Sequence, residues 1–502
     1  MTIAAPGSPN SGETPSPVER SPRRALRFAV IGAGMSGILS AIKLSEAGHT
    51  DFTVYEKADR VGGTWRENTY PGLACDVPSH LYSYSFALTP EWSHLFSPGP
   101  EIQAYFERVA AEHGVGDRTR FGDEVLRCDL VDGRWNLTTA SGHHDVVDVV
   151  IAATGVLHHP RMPEIDGMNS FDGPAFHSAR FDHSVVLDGK RVGVIGTGST
   201  AVQITSALVE RVARLSLFQR TAQWVMPVAN PAYTDEERSV FRAHPERLAE
   251  VHDQLSQAFS VFARAVVDAG SPELKMIEEA CRANLDTVRD PELRERLRPD
   301  HRAACKRLVI SPDFYEAIQH PHAELVTDGI ERIEPGGIRT ADGRLHELDV
   351  LIYATGFHAD AFMRPMEVTG RDGVTLAEVW RDRPSAYLSI SIPGFPNLFM
   401  LNGPNGPVGN FSLIEVAELQ LAYIFRLLDR ITADGHREIC ARREALERFE
   451  DERLEAARRT VWVTGCRSWY LDDRGVPAVW PWSFERFREV MAEPALSDYE
   501  LS

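Results

Sequence analysis

Two glycine clusters are the residues of this chain best placed to do chemistry. The first is Gly32-Ala33-Gly34-Met35-Ser36-Gly37 and the second is Gly196-Thr197-Gly198-Ser199-Thr200-Ala201. Each follows a short apolar run, Phe28-Ala29-Val30-Ile31 or Val192-Gly193-Val194-Ile195, and each opens a helix-like stretch. In such a turn one glycine reverses the chain and another lets the backbone approach a pyrophosphate. The third small residue lets helix pack on strand. The helix N-terminus then offers free N–H groups and a partial positive charge to the phosphates. The chemistry expected is dinucleotide binding, twice over. Gly32, Gly34 and Gly37 serve one site, and Gly196, Thr197, Gly198, Ser199, Thr200 and Ala201 the other.

The residue that ends the next strand tells the two sites apart. Phe52-Thr53-Val54-Tyr55-Glu56 ends in a carboxylate roughly 20 residues past the last glycine, the spacing at which an acid binds a ribose hydroxyl. Leu215-Ser216-Leu217-Phe218-Gln219-Arg220 repeats that spacing but ends in a base. A carboxylate there would repel a 2′-phosphate, whereas a guanidinium binds it through charge-assisted hydrogen bonds. The residues therefore predict FAD at the first site and NADPH at the second, with hydride passing from nicotinamide to flavin.

The elements that must hold these turns are two βαβ units in series. Asp148-Val149-Val150-Ile151-Ala152-Ala153-Thr154-Gly155 is echoed by Asp349-Val350-Leu351-Ile352-Tyr353-Ala354-Thr355-Gly356. Each copy lies downstream of one glycine cluster, as if two related domains end in similar strands. The fold class expected is α/β, with two Rossmann-like dinucleotide-binding domains for FAD and NADPH and a helical insertion in the second. The boundaries expected are a disordered Pro/Ser/Gly-rich tail over 1–24, a discontinuous FAD domain over 25–158 and 361–502, and an NADPH domain over 159–360. Charged, helix-favouring sequence over 230–304 forms the insertion, and two more helices are expected over about 413–433 and 443–459.

Composition narrows the setting. A chain of 502 residues outgrows a single hydrophobic core. Its net charge of −19, from 53 basic and 72 acidic residues, repels nucleic acid and anionic lipid. No apolar run reaches the ~20 residues that span a bilayer, and Leu388 to Leu401 is interrupted by Pro393, Gly394 and Pro396. The tail lacks the apolar core of a signal peptide. The six cysteines (Cys75, Cys128, Cys281, Cys305, Cys440 and Cys466) include no Cys-x-x-Cys pair and read as reduced thiols of a cytoplasmic enzyme. No metal site and no obligatory protein partner are expected.

Flavoproteins with two dinucleotide folds mostly deliver electrons to a redox-active disulfide or to O2. The missing Cys-x-x-Cys speaks against the first use. The segment from Gly62-Gly63-Thr64-Trp65 through Tyr70-Pro71-Gly72 to Asp76 resembles the type I Baeyer–Villiger monooxygenases, among the class B flavoprotein monooxygenases, and meets every position of their pattern there. A second family signature matches Phe171, Gly173 and His177, with Phe181 in place of its tryptophan, so the indole N–H is lost. Shorter matches are Phe218 to Trp224, Cys305-Lys306-Arg307, Ala354 to Phe357 and Cys466-Arg467-Ser468-Trp469-Tyr470, so that the likeness runs from about Arg27 to the C-terminus.

That resemblance implies specific roles. Arg307 matches the catalytic arginine and Asp76 its acidic partner. Lys306 joins Arg220 and Thr221 on the NADPH side. Thr64, Trp65, Tyr82, Val125 and Asp76 fall on flavin-side positions, and Trp469 near nicotinamide and substrate. Phe171, Gly173 and His177 are assigned to a linker that couples the domains. The activity implied is insertion of one O2-derived oxygen beside a ketone carbonyl, giving an ester or lactone through a flavin peroxide anion. A permanent cation about 4 Å away would favour that anion by about 4 kcal/mol at an effective dielectric near 20, and arginine is no general base. The alternatives are a flavin monooxygenase that oxidises nitrogen or sulfur and a non-oxygenating flavin redox sensor. The sequence leaves open which ketone is taken and with what regioselectivity.

Overall fold

Both glycine turns sit at the ends of parallel five-stranded sheets. The computed structural model describes residues 25–409, 411–472 and 474–502, and the tail expected over 1–24 lies outside them. In the first sheet the order is Leu398–Met400, Val149–Ala152, Phe28–Ile31, Phe52–Glu56 and Thr119–Phe121, every neighbouring pair parallel. Phe28–Ile31 (β1), the helix Met35–Glu46 (α1) and Phe52–Glu56 (β2) form its first mononucleotide unit. All four residues of β1 are buried, which is why the strand reads as a continuous apolar run.

The second sheet repeats the plan in the order Ala323–Val326, Arg214–Phe218, Arg191–Ile195, Val350–Tyr353 and Ala175–His177, again all parallel. Its unit is Arg191–Ile195 (β3), Ser199–Leu208 (α2) and Arg214–Phe218 (β4). The two echoed segments hold equivalent places. Val149–Ala152 lies beside β1 and Val350–Tyr353 beside β3. Asp148 accepts the Arg27 N–H at 2.9 Å and Asp349 accepts the Arg191 N–H at 2.8 Å, so each aspartate clamps the entry to its sheet.

The chain leaves the first sheet, builds the second, and returns to supply Leu398–Met400 and the helix Leu413–Asp434. Ile414, Leu421 and Ile424 of that helix share a core with Ile38 and Leu39 of α1. Between β4 and Ala323–Val326 come the helices Asp235–Ala243, Pro245–Val267, Pro272–Leu285 and Pro291–Arg296. Three of them start on proline, whose missing N–H costs nothing in a first turn. The fourth starts on a capping box of Thr234 and Glu237. The later helix Arg443–Ala457 is also present. No helix among the described residues is long and apolar enough to cross a membrane.

One expectation is corrected. Cys305 and Cys466 form a disulfide across a sequence separation of 161, while Cys75, Cys128, Cys281 and Cys440 are free and buried. The end of the helical insertion and the C-terminal segment fold into a shared cluster that includes Cys305, Leu308, Trp462, Cys466 and Tyr470. This packing brings the two cysteine Cα atoms to 6.2 Å, within bridging range. No local spacing could announce a pair so distant in sequence.

Candidate active site

The first turn is shaped by what cannot be added to it. Gly32 has φ +101°, and a Cβ there would stand 2.6 Å from the Ala153 carbonyl oxygen. A Cβ on Gly37 would stand 1.8 Å from the Gly32 carbonyl oxygen, so the third glycine is what lets α1 close on the turn. Gly34 caps α1 without any side-chain hydrogen bond, leaving the helix N-terminus open. Glu56 at the end of β2 is 4% exposed. Its carboxylate accepts the Ala33 N–H at 2.8 Å, the Ala58 N–H at 2.9 Å and Arg66 Nη1 at 3.1 Å. It therefore braces the turn it was expected only to follow, and Arg66 is a brace that motif reading missed.

The second turn follows the same plan, with Gly196 at φ +127° and a hypothetical Cβ 2.2 Å from the Ala354 oxygen. Gly198 likewise caps α2 with no side chain. Ala201, fully buried, stands where the first unit has Gly37. Thr197 Oγ1 donates to the Thr221 carbonyl at 2.7 Å, tying the turn to the segment beyond β4. Arg220 is exposed there and Lys306 is half-buried beside it. Burial, and then the repulsion of Arg220, hold the Lys306 ammonium below its ordinary pKa.

The Tyr70-Pro71-Gly72 motif turns out to be a joint between the units. Tyr70 donates to Gln203 Oε1 at 2.9 Å, Gln203 Nε2 donates to the Ala74 carbonyl at 3.0 Å, and Thr200 lies at 3.4 Å from the Tyr70 hydroxyl. Gly72 adopts φ +80°, and a Cβ on it would stand 2.5 Å from the Gln203 carbonyl oxygen. Phe171 packs with Ile333 and Tyr353, and a Cβ on Gly173 would stand 2.4 Å from the Asp349 oxygen. His177 ends an edge strand of the second sheet, and its Nδ1 accepts the Ala179 N–H at 3.1 Å. Burial keeps its pKa below the ordinary histidine value. Just beyond, Arg180 reaches Glu67 and His183 reaches Thr69 at 2.8 Å, both on the first unit's side. Phe181, at the family's tryptophan position, packs edge-on against Phe176.

Arg307 and Asp76, 231 residues apart in sequence, meet at this joint. Arg307 Nε donates to Asp76 Oδ2 at 3.0 Å and Nη2 donates to the same oxygen. The arginine side chain is 34% exposed and the aspartate 23%, so the pair opens on one side. Burial opposes the guanidinium charge, but Asp76 and then Tyr470 outweigh it and raise the pKa above the ordinary arginine value. Tyr82, next to this pair, accepts from Trp65 Nε1 at 3.1 Å, and burial raises its phenol above the ordinary range.

The structure thus gathers Asp76, Arg307, Tyr82 and Trp65. It does not gather every candidate. Thr64 is exposed at the start of a short helix. Val125, 4% exposed, packs with Ile31 and Tyr55, so only its backbone is available to a ligand. Trp469 is 43% exposed and lies on Tyr470 with ring centroids 4.3 Å apart. Tyr470 itself went unmarked, although its motif was noted. Its hydroxyl meets Arg307, a contact between segments that no single motif displays.

Comparison with known proteins agrees with this geometry. Residues 25–237 match the flavin-binding monooxygenase-like family. An uncharacterised monooxygenase of Mycobacterium tuberculosis is 49% identical over 473 residues, covering 94% of this chain and 95% of its own. A Baeyer–Villiger monooxygenase of Streptomyces coelicolor is 40% identical over 489 residues, covering 95% and 92%. The crystal structure of OTEMO in complex with FAD and NADP superposes with a TM-score of 0.86 at 28% identity, covering 95% of this chain and 99% of that one.

Proposed function

The chain belongs to the flavin-binding monooxygenases of Baeyer–Villiger type, and from that premise we propose that it converts a ketone into an ester or lactone with one oxygen atom of O2. Its cofactors are FAD and NADPH. The residues fit both groups. Each unit offers an uncapped helix N-terminus behind a glycine turn too tight for a side chain. The second adds the adjacent cations Arg220 and Lys306, which suit a 2′-phosphate. In this reading the domain that holds FAD is 25–158 with 361–502, and the domain that holds NADPH is 159–360. When bound, the two groups supply the hydride and the activation of O2.

The observation that carries the reading is the Asp76–Arg307 pair at the joint between the units. A guanidinium there is positive at every working pH and has no lone pair with which to act as a base. It can therefore stabilise negative charge as it grows on the substrate oxygen during addition to the carbonyl. Asp76 holds the guanidinium by two donors on one oxygen, which fixes its place while leaving further N–H groups for the reacting atoms. Tyr82 and Trp65 form a packed wall beside it that limits water.

The test is Arg307→Ala, assayed with a panel of linear, cyclic and aryl ketones and one thioether, with products identified by mass spectrometry. NADPH should still reduce the flavin, while ester formed per NADPH falls at least 100-fold, as on losing one charge-stabilising donor. Ester yield near that of the unmodified chain would end the assignment. Sulfoxide without any ester from the unmodified chain would end the ketone reading.

A further inference from the structure

Resting on that reading, we infer that Tyr470 is a second positioning residue for the Arg307 guanidinium, carried to it on a C-terminal segment that the Cys305–Cys466 disulfide fastens beside the arginine. Asp76 holds the guanidinium through a single oxygen. A planar group held at one point can pivot about it, and a second contact fixes the plane. The Tyr470 hydroxyl supplies that contact by accepting from Arg307.

The hydroxyl is held from every side. Tyr470 is 3% exposed and its ring packs on Trp462 with centroids 5.6 Å apart. Its backbone oxygen accepts the Ala478 N–H at 2.7 Å. A Cβ on Gly409 would stand 2.1 Å from its Oη, so glycine alone fits under it. Beyond it the chain turns at Asp472, which accepts the Val476 N–H at 3.0 Å, and the Pro477 carbonyl accepts from Arg453. Arg453 has no exposure and is paired with Glu450 at 2.8 Å. The disulfide joins the start of this segment to the residues just before Arg307.

The chemistry of the contact matters as much as its place. A second carboxylate would also orient the arginine, but it would cancel the positive field the reaction uses. A buried phenol, held protonated because burial raises its pKa, orients the cation and leaves its charge intact.

Tyr470→Phe removes one oxygen and keeps the ring. Flavin reduction by NADPH should stay at the unmodified rate and KM for the ketone within about twofold. In contrast, kcat for ester should fall about tenfold, the scale of one hydrogen bond to a charged group, with hydrogen peroxide released in its place. A loss of fold would instead lower flavin content and flavin reduction together. Gly409→Ala keeps the phenol but denies it its seat, and should give the same split. A crystal structure of Tyr470→Phe should show the Arg307 plane turned about Asp76. Thiols titrated in denaturant should count four before reduction and six after, following the four free cysteines and one disulfide.

Full coupling in both variants, an unmoved Arg307 plane, or six thiols without reductant would each overturn the inference. If Arg307→Ala abolishes ester while Tyr470→Phe does not, this inference alone fails. If Arg307→Ala leaves ester intact, the parent reading fails first.

Discussion

The unit β1–α1–β2 and the unit β3–α2–β4 make the same demands on the backbone and different demands on charge. Both put a left-handed glycine against a neighbouring strand's carbonyl, Gly32 against Ala153 and Gly196 against Ala354, and both leave their helix uncapped. They part at the end of the second strand. Glu56 is buried and held by three donors of its own protein. Arg220 is exposed, and among the described residues its electrostatic neighbour is another cation, Lys306. The first site is preorganised by the chain itself, whereas the second waits for an anion to supply its counter-charge. The shared part of the plan is steric and the divergent part is electrostatic, so each can be attacked separately.

The largest effect expected is steric. Gly37→Ala places a Cβ against the Gly32 carbonyl at a distance no side chain tolerates, and both atoms are backbone. It should cost at least about 3 kcal/mol, the upper range for overpacking, and strip the protein of flavin. Ala201→Gly, the mirror change, meets no clash and should cost only about 1 kcal/mol of helix propensity. Flavin absorbance per protein and melting temperature read both. If Gly37→Ala kept its flavin and its melting point, the two turns would not differ as described.

Next in size is the electrostatic change. Arg220→Gln removes one of two cations awaiting the 2′-phosphate, so KM for NADPH should rise 10- to 100-fold, about 1.5–3 kcal/mol for a charge-assisted contact. KM for NADH should hardly move. Glu56→Gln should do the opposite, weakening flavin retention while leaving NADPH kinetics alone. Equal losses for NADH and NADPH in Arg220→Gln would show a general disturbance of the turn rather than phosphate recognition.

How much of this was legible in the sequence follows the same division. The glycine turns, their strands and the echo of Asp148 in Asp349 were readable because backbone sterics impose a short, fixed spacing. The helices Leu413–Asp434 and Arg443–Ala457 declared themselves for the same local reason. Arg307 and Asp76 were named by resemblance, but their contact spans 231 positions and only the fold creates it. The disulfide was read wrongly because cysteine spacing carries no signal when the partners belong to segments brought together by packing. The role of Gly72 was hidden too: its missing Cβ answers to the Gln203 carbonyl on the other unit, and no local rule refers to that atom.

The smallest effect expected lies on the seam between the first unit and the helical insertion. His80 is 1% exposed, sits between Tyr233 and Phe241 with each ring centroid 5.1 Å away, and neither of its ring nitrogens has a hydrogen-bond partner. Burial, and then the neighbouring His252, push its pKa down to about 4. In the unfolded chain it titrates near 6.5, so the unfolded state binds the proton first as pH falls. Stability is therefore full above about pH 6.5 and is lost progressively toward pH 4. The total is about 3 kcal/mol, of which about 1 kcal/mol is gone by pH 6. His80→Phe keeps the aromatic packing and removes the proton, so its melting temperature should fall less than that of the unmodified chain between pH 7.5 and 5. Parallel melting curves across that range would mean that His80 is solvated or paired in solution. The seam between the first unit and the insertion would then be looser than the aromatic packing around His80 describes.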